Sequence, residues 1–235
     1  MQAEDLTESL EDLEKIKELI ASQDRFRWVF TGDSITMGAK HTHGFRSYVE
    51  IFHERLQWEL GRSGDIVINT GMSGHTSRHI LNDFEWRVDQ FKPIVVSLML
   101  GTNDCSKPEI SSTLFAENVQ SLVTKIRTIG AIPIFHTPNP IIISKAQERK
   151  KLPEYIAIIR DLAKKNRVIL VDNYAYWEEI AGQKSHEFIY REWLNDPLHP
   201  NGIGHQEIAR EMFRTLEMYD PVAATCSGVY YEGEH

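Results

Sequence analysis

Five short apolar segments alternate with segments of helical periodicity, and this alternation constrains the fold more than any other feature of the chain. In order, the apolar segments are "RWVFTG", "DIVINTG", "PIVVSLMLG", "AIPIFHTP" and "RVILVDN". Continuous apolar runs of this length are typical of parallel strands that are buried on both faces. We therefore predict an α/β fold in which helices cover both faces of a parallel sheet.

The segments between the apolar runs carry the spacing of one-sided helices. The clearest sets are Phe45, Val49, Phe52, Leu56 and Leu60, and Phe115, Val119, Leu122, Ile126 and Ile129. Further helices are predicted over 147–164 and after His199, and a less regular one over 76–89. The aromatic-rich residues 173–195 are predicted to form a long connection.

One main domain is the simplest organisation for a chain of 235 residues without an internal repeat or a Pro/Gly/Ser-rich linker. We place this domain at 25–219, after an N-terminal amphipathic helix within 1–24 and before a C-terminal tail at 220–235. The helical stripe consists of Leu6, Leu10, Leu13, Ile16 and Ile20. This stripe either packs on the domain or forms a homo-oligomer contact.

The charge and apolar content argue against a nucleic-acid partner and a membrane span. Lysine and arginine number 26 against 34 acidic residues, a net charge of −8, and a nucleic-acid surface needs clustered positive charge. The longest apolar run, at 93–100, is too short to span a bilayer. The acidic N-terminus lacks the order of a secretory signal, which favours a cytoplasmic location. Cys105 and Cys226 offer neither a disulfide framework nor a metal-binding spacing.

Polar residues follow four of the predicted strands at the point where each strand ends. Ser34 comes after the first strand, and Asn69, Thr70 and Gly71 lie at the end of the second, while Asn103 and Asn139 follow the third and fourth. The carboxyl ends of parallel strands meet at one edge of the sheet, where α/β proteins bind ligands. We expect these residues to converge at that edge.

A serine nucleophile needs a base, a group that orients the base, and donors for the oxyanion. The segment "NDPLHPNG" places Asp196 three residues before His199, so the carboxylate and the imidazole meet if the turn points both inward. The alternative is an Asx-type turn before a helix. The available oxyanion donors are the backbone N–H groups of Ser34 and Gly71 and the side-chain amide of Asn103. Plain turns are the alternative for "NTGMSG" and "GTND".

The four motifs, in this order, resemble those of the SGNH hydrolase superfamily, also called GDSL-type esterases and lipases. The matching residues are Ser34 in "GDSI", Gly71 in "NTGMSG", Asn103 in "GTND", and Asp196 and His199 in "DPLHP". The resemblance covers about residues 26–217. It implies a three-layer α/β/α sandwich with a flavodoxin-like parallel sheet of about five strands. It also implies a catalytic triad of Ser34, His199 and Asp196, with an oxyanion hole formed by Ser34, Gly71 and Asn103.

The resemblance also implies a serine esterase that needs no metal and no organic cofactor. Candidate substrate-binding residues are His43, Arg46, His75, Arg78 and Asn139, and the alternative is that they are solvated loop and helix residues. A polar pocket suits a sugar ester or a small acyl group, so the first hypothesis is a short-acyl esterase such as a carbohydrate O-acetylesterase. A lysophospholipase or thioesterase is the second hypothesis, and a ligand-binding module without turnover is the third.

Overall fold

A computed structural model describes residues 7–228, and its β-strands form one parallel sheet. The strands are β1 (Arg27–Gly32), β2 (Ile66–Asn69), β3 (Val95–Met99), β4 (Ile132–His136) and β5 (Ile169–Val171). Their order in the sheet is β2-β1-β3-β4-β5, and every neighbouring pair is parallel. Each strand lies within one of the five apolar segments, so the predicted parallel sheet is confirmed.

Ten α-helices occur within the described residues, most of them between strands. They are α1 (Thr7–Ala21), α2 (Ser34–Met37), α3 (Tyr48–Glu54), α4 (Ser77–Asn82), α5 (Phe84–Arg87), α6 (Ser112–Thr128), α7 (Leu152–Lys165), α8 (Asn173–Gln183), α9 (His186–Glu192) and α10 (Gly202–Thr215). A π-helical turn, Arg55–Glu59, continues α3. No helix in the described part of the chain combines the length and the apolar character that a membrane crossing requires.

The sheet separates two apolar layers, because successive side chains of a strand point to opposite faces. Trp28 and Phe30 of β1 belong to one buried cluster, and Val29 between them belongs to the other. The first cluster contains Ile16 of α1, Phe52 of α3, Trp177 of α8 and Ile208 of α10. The second contains Ile80 of α4, Phe84 of α5, Phe115 of α6 and Ile156 of α7. The fold is therefore a three-layer α/β/α sandwich, as predicted.

Helix caps explain where the predicted helices were placed wrongly. Phe45 does not belong to α3 and is 71% exposed, because Ser47 ends the preceding loop with a capping box. In that box the Ser47 hydroxyl accepts from the Glu50 N–H, and the Glu50 carboxylate accepts from the Ser47 N–H. The predicted connection at 173–195 contains two helices instead, each capped by a side chain: Asp172 for α8 and Ser185 for α9.

Helix α1 packs on its own chain. Ile16 is completely buried in the first apolar cluster. Asp12, 2% exposed, accepts two hydrogen bonds from the Arg127 guanidinium of α6. Leu6 of the predicted stripe and the tail beyond residue 228 lie outside the described residues.

Candidate active site

Ser34 lies at the carboxyl end of β1, at the first position of the short helix α2. Asp33 caps this helix, and its Oδ1 accepts a 2.9 Å hydrogen bond from the Ile35 N–H. The first N–H groups of a helix have no partner within the helix, so the Ser34 N–H faces out of the α2 terminus. The Ser34 side chain is largely buried, with 6% of the residue exposed. The turn thus presents both a hydroxyl and a backbone donor at one edge of the sheet.

His199 reaches Ser34 from the loop between α9 and α10, 165 positions later in the chain. The distance between Ser34 Oγ and His199 Nε2 is 2.9 Å. The loop is held by a β-bridge between Leu194 and Pro200 and by a hydrogen bond from the Asn195 N–H to the His199 carbonyl. The two most distant motifs of the sequence therefore meet in space.

Asp196 orients the imidazole of His199 from the other side. His199 Nδ1 lies 2.9 Å from Asp196 Oδ1 and 2.8 Å from Oδ2. Since a carboxylate only accepts, Nδ1 carries the proton, and Nε2 is then free to accept from the Ser34 hydroxyl. Burial alone would raise the pKa of Asp196, but hydrogen bonds from the Leu198 and His199 N–H groups and from the imidazole hold that pKa below its usual value. The carboxylate stays ionised beside the imidazole.

His41, from the loop after α2, stacks on one face of the His199 ring. Its ring lies parallel to that of His199, with centroids 3.5 Å apart and 1° between the planes. Its Nδ1 lies 3.4 Å from Asp196 Oδ2. Burial, and then the nearby His199, lower the pKa of His41. Nitrogen and oxygen atoms of His41, Asp196 and His199 that could bind a metal lie within 4.8 Å of one another. The lone pair of an imidazole nitrogen lies in the plane of its ring, so the lone pairs of two parallel, stacked rings do not point at one common metal ion. The geometry therefore suits stacking better than shared metal coordination.

Asn103 follows β3 and lies next to the turn that holds Ser34. Its Nδ2 donates to the His75 carbonyl at 3.1 Å and, over a longer 3.4 Å, to Asp33 Oδ2. Arg149 holds the same loop by donating from Nε to the Thr102 carbonyl at 3.1 Å. The Asn103 amide is thus fixed beside Ser34 at the carboxyl edge of the sheet. The Asp33 carboxyl that accepts its longer hydrogen bond is buried, and burial raises the pKa of Asp33 to about 7.

Gly71 follows β2 and packs directly on α2. A Cβ atom at Gly71 would lie 2.4 Å from the Met37 nitrogen, so only glycine allows this approach. The Gly71 N–H donates to Asn69 Oδ1 at 2.9 Å, and Asn69 Nδ2 donates to the Thr36 carbonyl at 2.7 Å. Asn69, the last residue of β2, therefore ties the Gly71 loop to the helix that carries Ser34.

Two of the predicted substrate-binding residues border a cavity between the loop after α2 and the start of α10. His43 and Arg46 lie in the loop after α2, where His43 Nε2 donates to the Asn195 side chain and Arg46 pairs with Glu54. The cavity has a volume of about 600 Å³, and the apolar part of its wall includes Phe45, Ile51 and Ile203. Loop residues and the start of α10 thus enclose a mixed polar and apolar space, and its lining residues include neither Ser34 nor His199.

The other three predicted substrate-binding residues occupy different environments. The imidazole of His75 accepts from Arg87, while Arg78 is exposed on the first turn of α4. Asn139 is completely buried, and its amide donates to the carbonyl groups of Pro140 and Leu198. Asn139 therefore supports the loop that carries His199 and has no surface that faces a substrate.

A Ser–His–Asp hydrogen-bonded chain at the carboxyl edge of an α/β/α sandwich is the arrangement of a serine hydrolase. The model of the GDSL-like Lipase/Acylhydrolase family matches residues 30–207, and the chain belongs to this family. The resemblance seen in the sequence motifs is confirmed. The protein is accordingly a carboxylic ester hydrolase of the serine type.

Two curated relatives align over most of their length. The uncharacterised lipoprotein YqeF of Bacillus subtilis is 28% identical over 195 residues, which cover 70% of this chain and 80% of the relative. An acetylxylan esterase of Geobacillus stearothermophilus is 27% identical over 211 residues, 80% of this chain and 92% of the relative.

The solved structures agree with the fold. The crystal structure of Axe2, an acetylxylan esterase from Geobacillus stearothermophilus, superposes with a TM-score of 0.67 at 24% identity, covering 81% of this chain and 94% of that one. At this level of identity the structural likeness concerns the fold.

Proposed function

We propose that this protein removes short acyl groups, acetyl above all, from carbohydrate esters, and that it does so through an acyl-enzyme on Ser34. The observation that carries the proposal is the unbroken hydrogen-bonded chain from Asp196 through His199 to Ser34, with contacts of 2.8 and 2.9 Å. A protein that only binds a ligand has no need of a nucleophile paired with an oriented base.

In the first half of the reaction, Ser34 Oγ attacks the ester carbonyl carbon while His199 Nε2 takes the hydroxyl proton. The imidazolium that forms is stabilised by the Asp196 carboxylate. It then gives the proton to the leaving alcohol oxygen as the ester C–O bond breaks. The products of this half are the free sugar hydroxyl and an acyl group bound to Ser34 Oγ.

In the second half, a water molecule replaces the sugar. His199 takes a proton from the water, whose oxygen attacks the acyl carbon, and then returns the proton to Ser34 Oγ as that bond breaks. The carboxylic acid leaves, and the hydroxyl, the neutral imidazole and the carboxylate are restored.

Three donors serve the oxyanion in this proposal: the N–H groups of Ser34 and Gly71 and the amide of Asn103. Two of them have partners in the present structure. The long 3.4 Å contact from Asn103 to Asp33 is the weaker bond of its amide, and a substrate oxygen would replace it. The Gly71 N–H would have to exchange the Asn69 side chain for the oxyanion. Such exchange favours the transition state only if the new bond is stronger than the old one.

The choice of substrate rests on a relative and on the surroundings of the site. The 27% identical relative is an acetylxylan esterase. Variants of the similar solved enzyme that are described as catalytic mutants replace a serine, an aspartate and a histidine, the last two three positions apart. Asp196 and His199 have the same spacing. The polar groups of His43 and Arg46 beside the cavity suit a hydroxylated leaving group.

The test measures hydrolysis along a series of p-nitrophenyl esters, from acetate to long acyl chains, together with acetate release from acetylated xylo-oligosaccharides. We expect the highest kcat/KM for acetate and measurable release from the oligosaccharide. A maximum at long chains would point to a lysophospholipase or thioesterase, and no hydrolysis at any length would point to a binding module.

Covalent labelling by a fluorophosphonate locates the nucleophile. We expect labelling of the wild-type protein and none of Ser34→Ala. The matched control is Ser73→Ala, which removes an exposed hydroxyl from the loop after Gly71 and should label normally. Labelling that persists in Ser34→Ala would refute the assignment of the nucleophile.

A further inference from the structure

Arg87, the last residue of α5, is completely buried beneath the loops that follow β1 and β2. Its Nη2 donates to the Gly32 carbonyl at 2.9 Å and to the Thr70 carbonyl at 2.7 Å. Its Nη1 donates to His75 Nδ1 at 3.1 Å. One planar group therefore ties the end of β1 to two separate points, Thr70 and His75, of the loop between β2 and α4.

Each of these three acceptors lies next to one of the proposed oxyanion donors. Gly32 precedes the Asp33–Ser34 turn, and Thr70 precedes Gly71 in the chain. His75 contributes its backbone carbonyl to the Asn103 amide at 3.1 Å. The guanidinium thus joins the segments that follow β1 and β2 directly, and the loop after β3 is linked to it through the His75–Asn103 hydrogen bond.

The chemistry of these contacts differs from that of an ordinary structural arginine. The hydrogen-bond partners described for Arg87 are two carbonyl oxygens and an imidazole nitrogen, and its Nε is buried without a partner. The carboxylates of Asp83 and Asp33 attract this guanidinium without a direct hydrogen bond or ion pair. Burial of a cation without such a direct pair is costly, and an apolar side chain fills such a volume at lower cost. A charged side chain at this position is accounted for if its three hydrogen bonds are needed to hold the segments around the active site in place.

We propose that Arg87 is a positioning residue that sets the mutual placement of the three oxyanion donors. The inference rests on the proposed function, because it assumes that those donors bind the oxyanion. The described hydrogen bonds of Arg87 go neither to the nucleophile nor to the base, and this residue acts through the carbonyl groups of Gly32 and Thr70 and the ring of His75.

Loss of this group should lower kcat far more than it raises KM. Donors aimed at the oxyanion act mainly in the transition state, so their misplacement removes interactions that the bound substrate does not make. Removal of one such donor costs roughly 100- to 1,000-fold in kcat. Imperfect placement of all three should cost about 10- to 100-fold.

The experiment compares Arg87→Gln and Arg87→Lys with the wild-type protein on p-nitrophenyl acetate. The Lys variant keeps a cation that reaches part of the acceptor set, so we expect it to recover part of the kcat lost in the Gln variant. It also keeps the inference testable if the Gln variant does not fold. The thermal midpoint of each variant is recorded, and kcat is measured well below it.

Arg55→Gln provides the matched control. Arg55 is another buried arginine, 4% exposed; it donates to the backbone carbonyl of Met218 and, unlike Arg87, also to a carboxylate, that of Glu59. We expect this variant to lose thermal stability while its kcat remains near that of the wild type. An equal loss of kcat in Arg55→Gln and Arg87→Gln would overturn the inference, since a general loss of packing would then explain both.

A double-mutant cycle between Arg87→Gln and Asn103→Ala tests whether the arginine acts through the donors. We expect the combined loss of kcat to be smaller than the product of the two single losses, because the Asn103 amide once removed cannot also be misplaced, whereas the Ser34 and Gly71 donors still can. Fully independent effects, or an unchanged kcat in folded Arg87→Gln, would overturn the inference. A wild-type protein that neither hydrolyses esters nor labels would instead refute the proposed function.

Discussion

The imidazole of His41 lies flat on that of His199, with ring centroids 3.5 Å apart and 1° between the planes. Its Nδ1 also comes within 3.4 Å of Asp196 Oδ2. His41 thus contacts both partners of the Asp–His pair and covers one face of the ring that faces Ser34. The contact restricts rotation of the His199 ring and keeps water from that face.

Replacement of His41 by alanine should lower kcat about 10-fold, because a freed His199 ring loses the alignment that proton transfer requires. His41→Phe keeps a flat ring in the same place and should retain most of the activity. The measurement is kcat on p-nitrophenyl acetate for both variants. A Phe variant as impaired as the Ala variant would show that His41 supports kcat through its contact with Asp196 and not through stacking on His199.

Asp196→Asn should lower kcat by roughly 1,000- to 10,000-fold while leaving the fold intact. An amide can donate to His199 Nδ1 and so favour the tautomer with the proton on Nε2, where it cannot accept from Ser34. The control is Asp161→Asn on the exposed face of α7, which should match the wild type. Activity of Asp196→Asn within 10-fold of the control would contradict the assigned role of the carboxylate.

Asp33→Asn should change how stability depends on pH. Burial raises the pKa of Asp33 from 3.8 to about 7, so between these values the folded state holds a proton that the unfolded state has released. The contribution of Asp33 to the free energy of unfolding therefore falls as pH rises from 4 to 7, by up to about 4 kcal/mol. The amide of the asparagine variant does not titrate, so its free energy of unfolding lacks this pH-dependent contribution.

Urea unfolding of Asp33→Asn and of the wild type at several pH values measures this effect. The difference in free energy of unfolding, wild type minus variant, should decrease steadily between pH 4 and 7 and level off above pH 8. Other titrating groups are common to both proteins and cancel in the difference. A difference that is constant over the whole range would show that the Asp33 carboxyl is not perturbed.

Ile16→Ala should lower the free energy of unfolding by about 2–5 kcal/mol, because the side chain is completely buried between α1 and the rest of the core. Lys15→Ala, at a side chain that is 57% exposed, should change it by less than about 0.5 kcal/mol. Urea unfolding of both variants tests this difference. An unchanged stability for Ile16→Ala together with an altered oligomeric state would instead assign the stripe of α1 to an interface between subunits.

Local signals in the sequence determined the five strands, the parallel class of the sheet and the residues that gather at its carboxyl edge. Apolar runs and helical periodicity act over a few neighbouring residues, so they can be recognised without knowledge of the fold. The errors at Phe45 and at 173–195 arose where a cap decides whether a helix begins, since one hydrogen bond from a Ser or Asp side chain leaves little trace in the apolar pattern.

Tertiary structure alone decided the contacts that join distant parts of the chain. The sequence placed Ser34 and His199 in motifs but could not place them 2.9 Å apart, and it gave no sign that His41 stacks on His199 or that Arg87 joins the segments after β1 and β2. These contacts depend on which strands become neighbours and on how each loop leaves its strand. Such relations follow from packing of the whole sheet and its helices, because no short stretch of residues contains them.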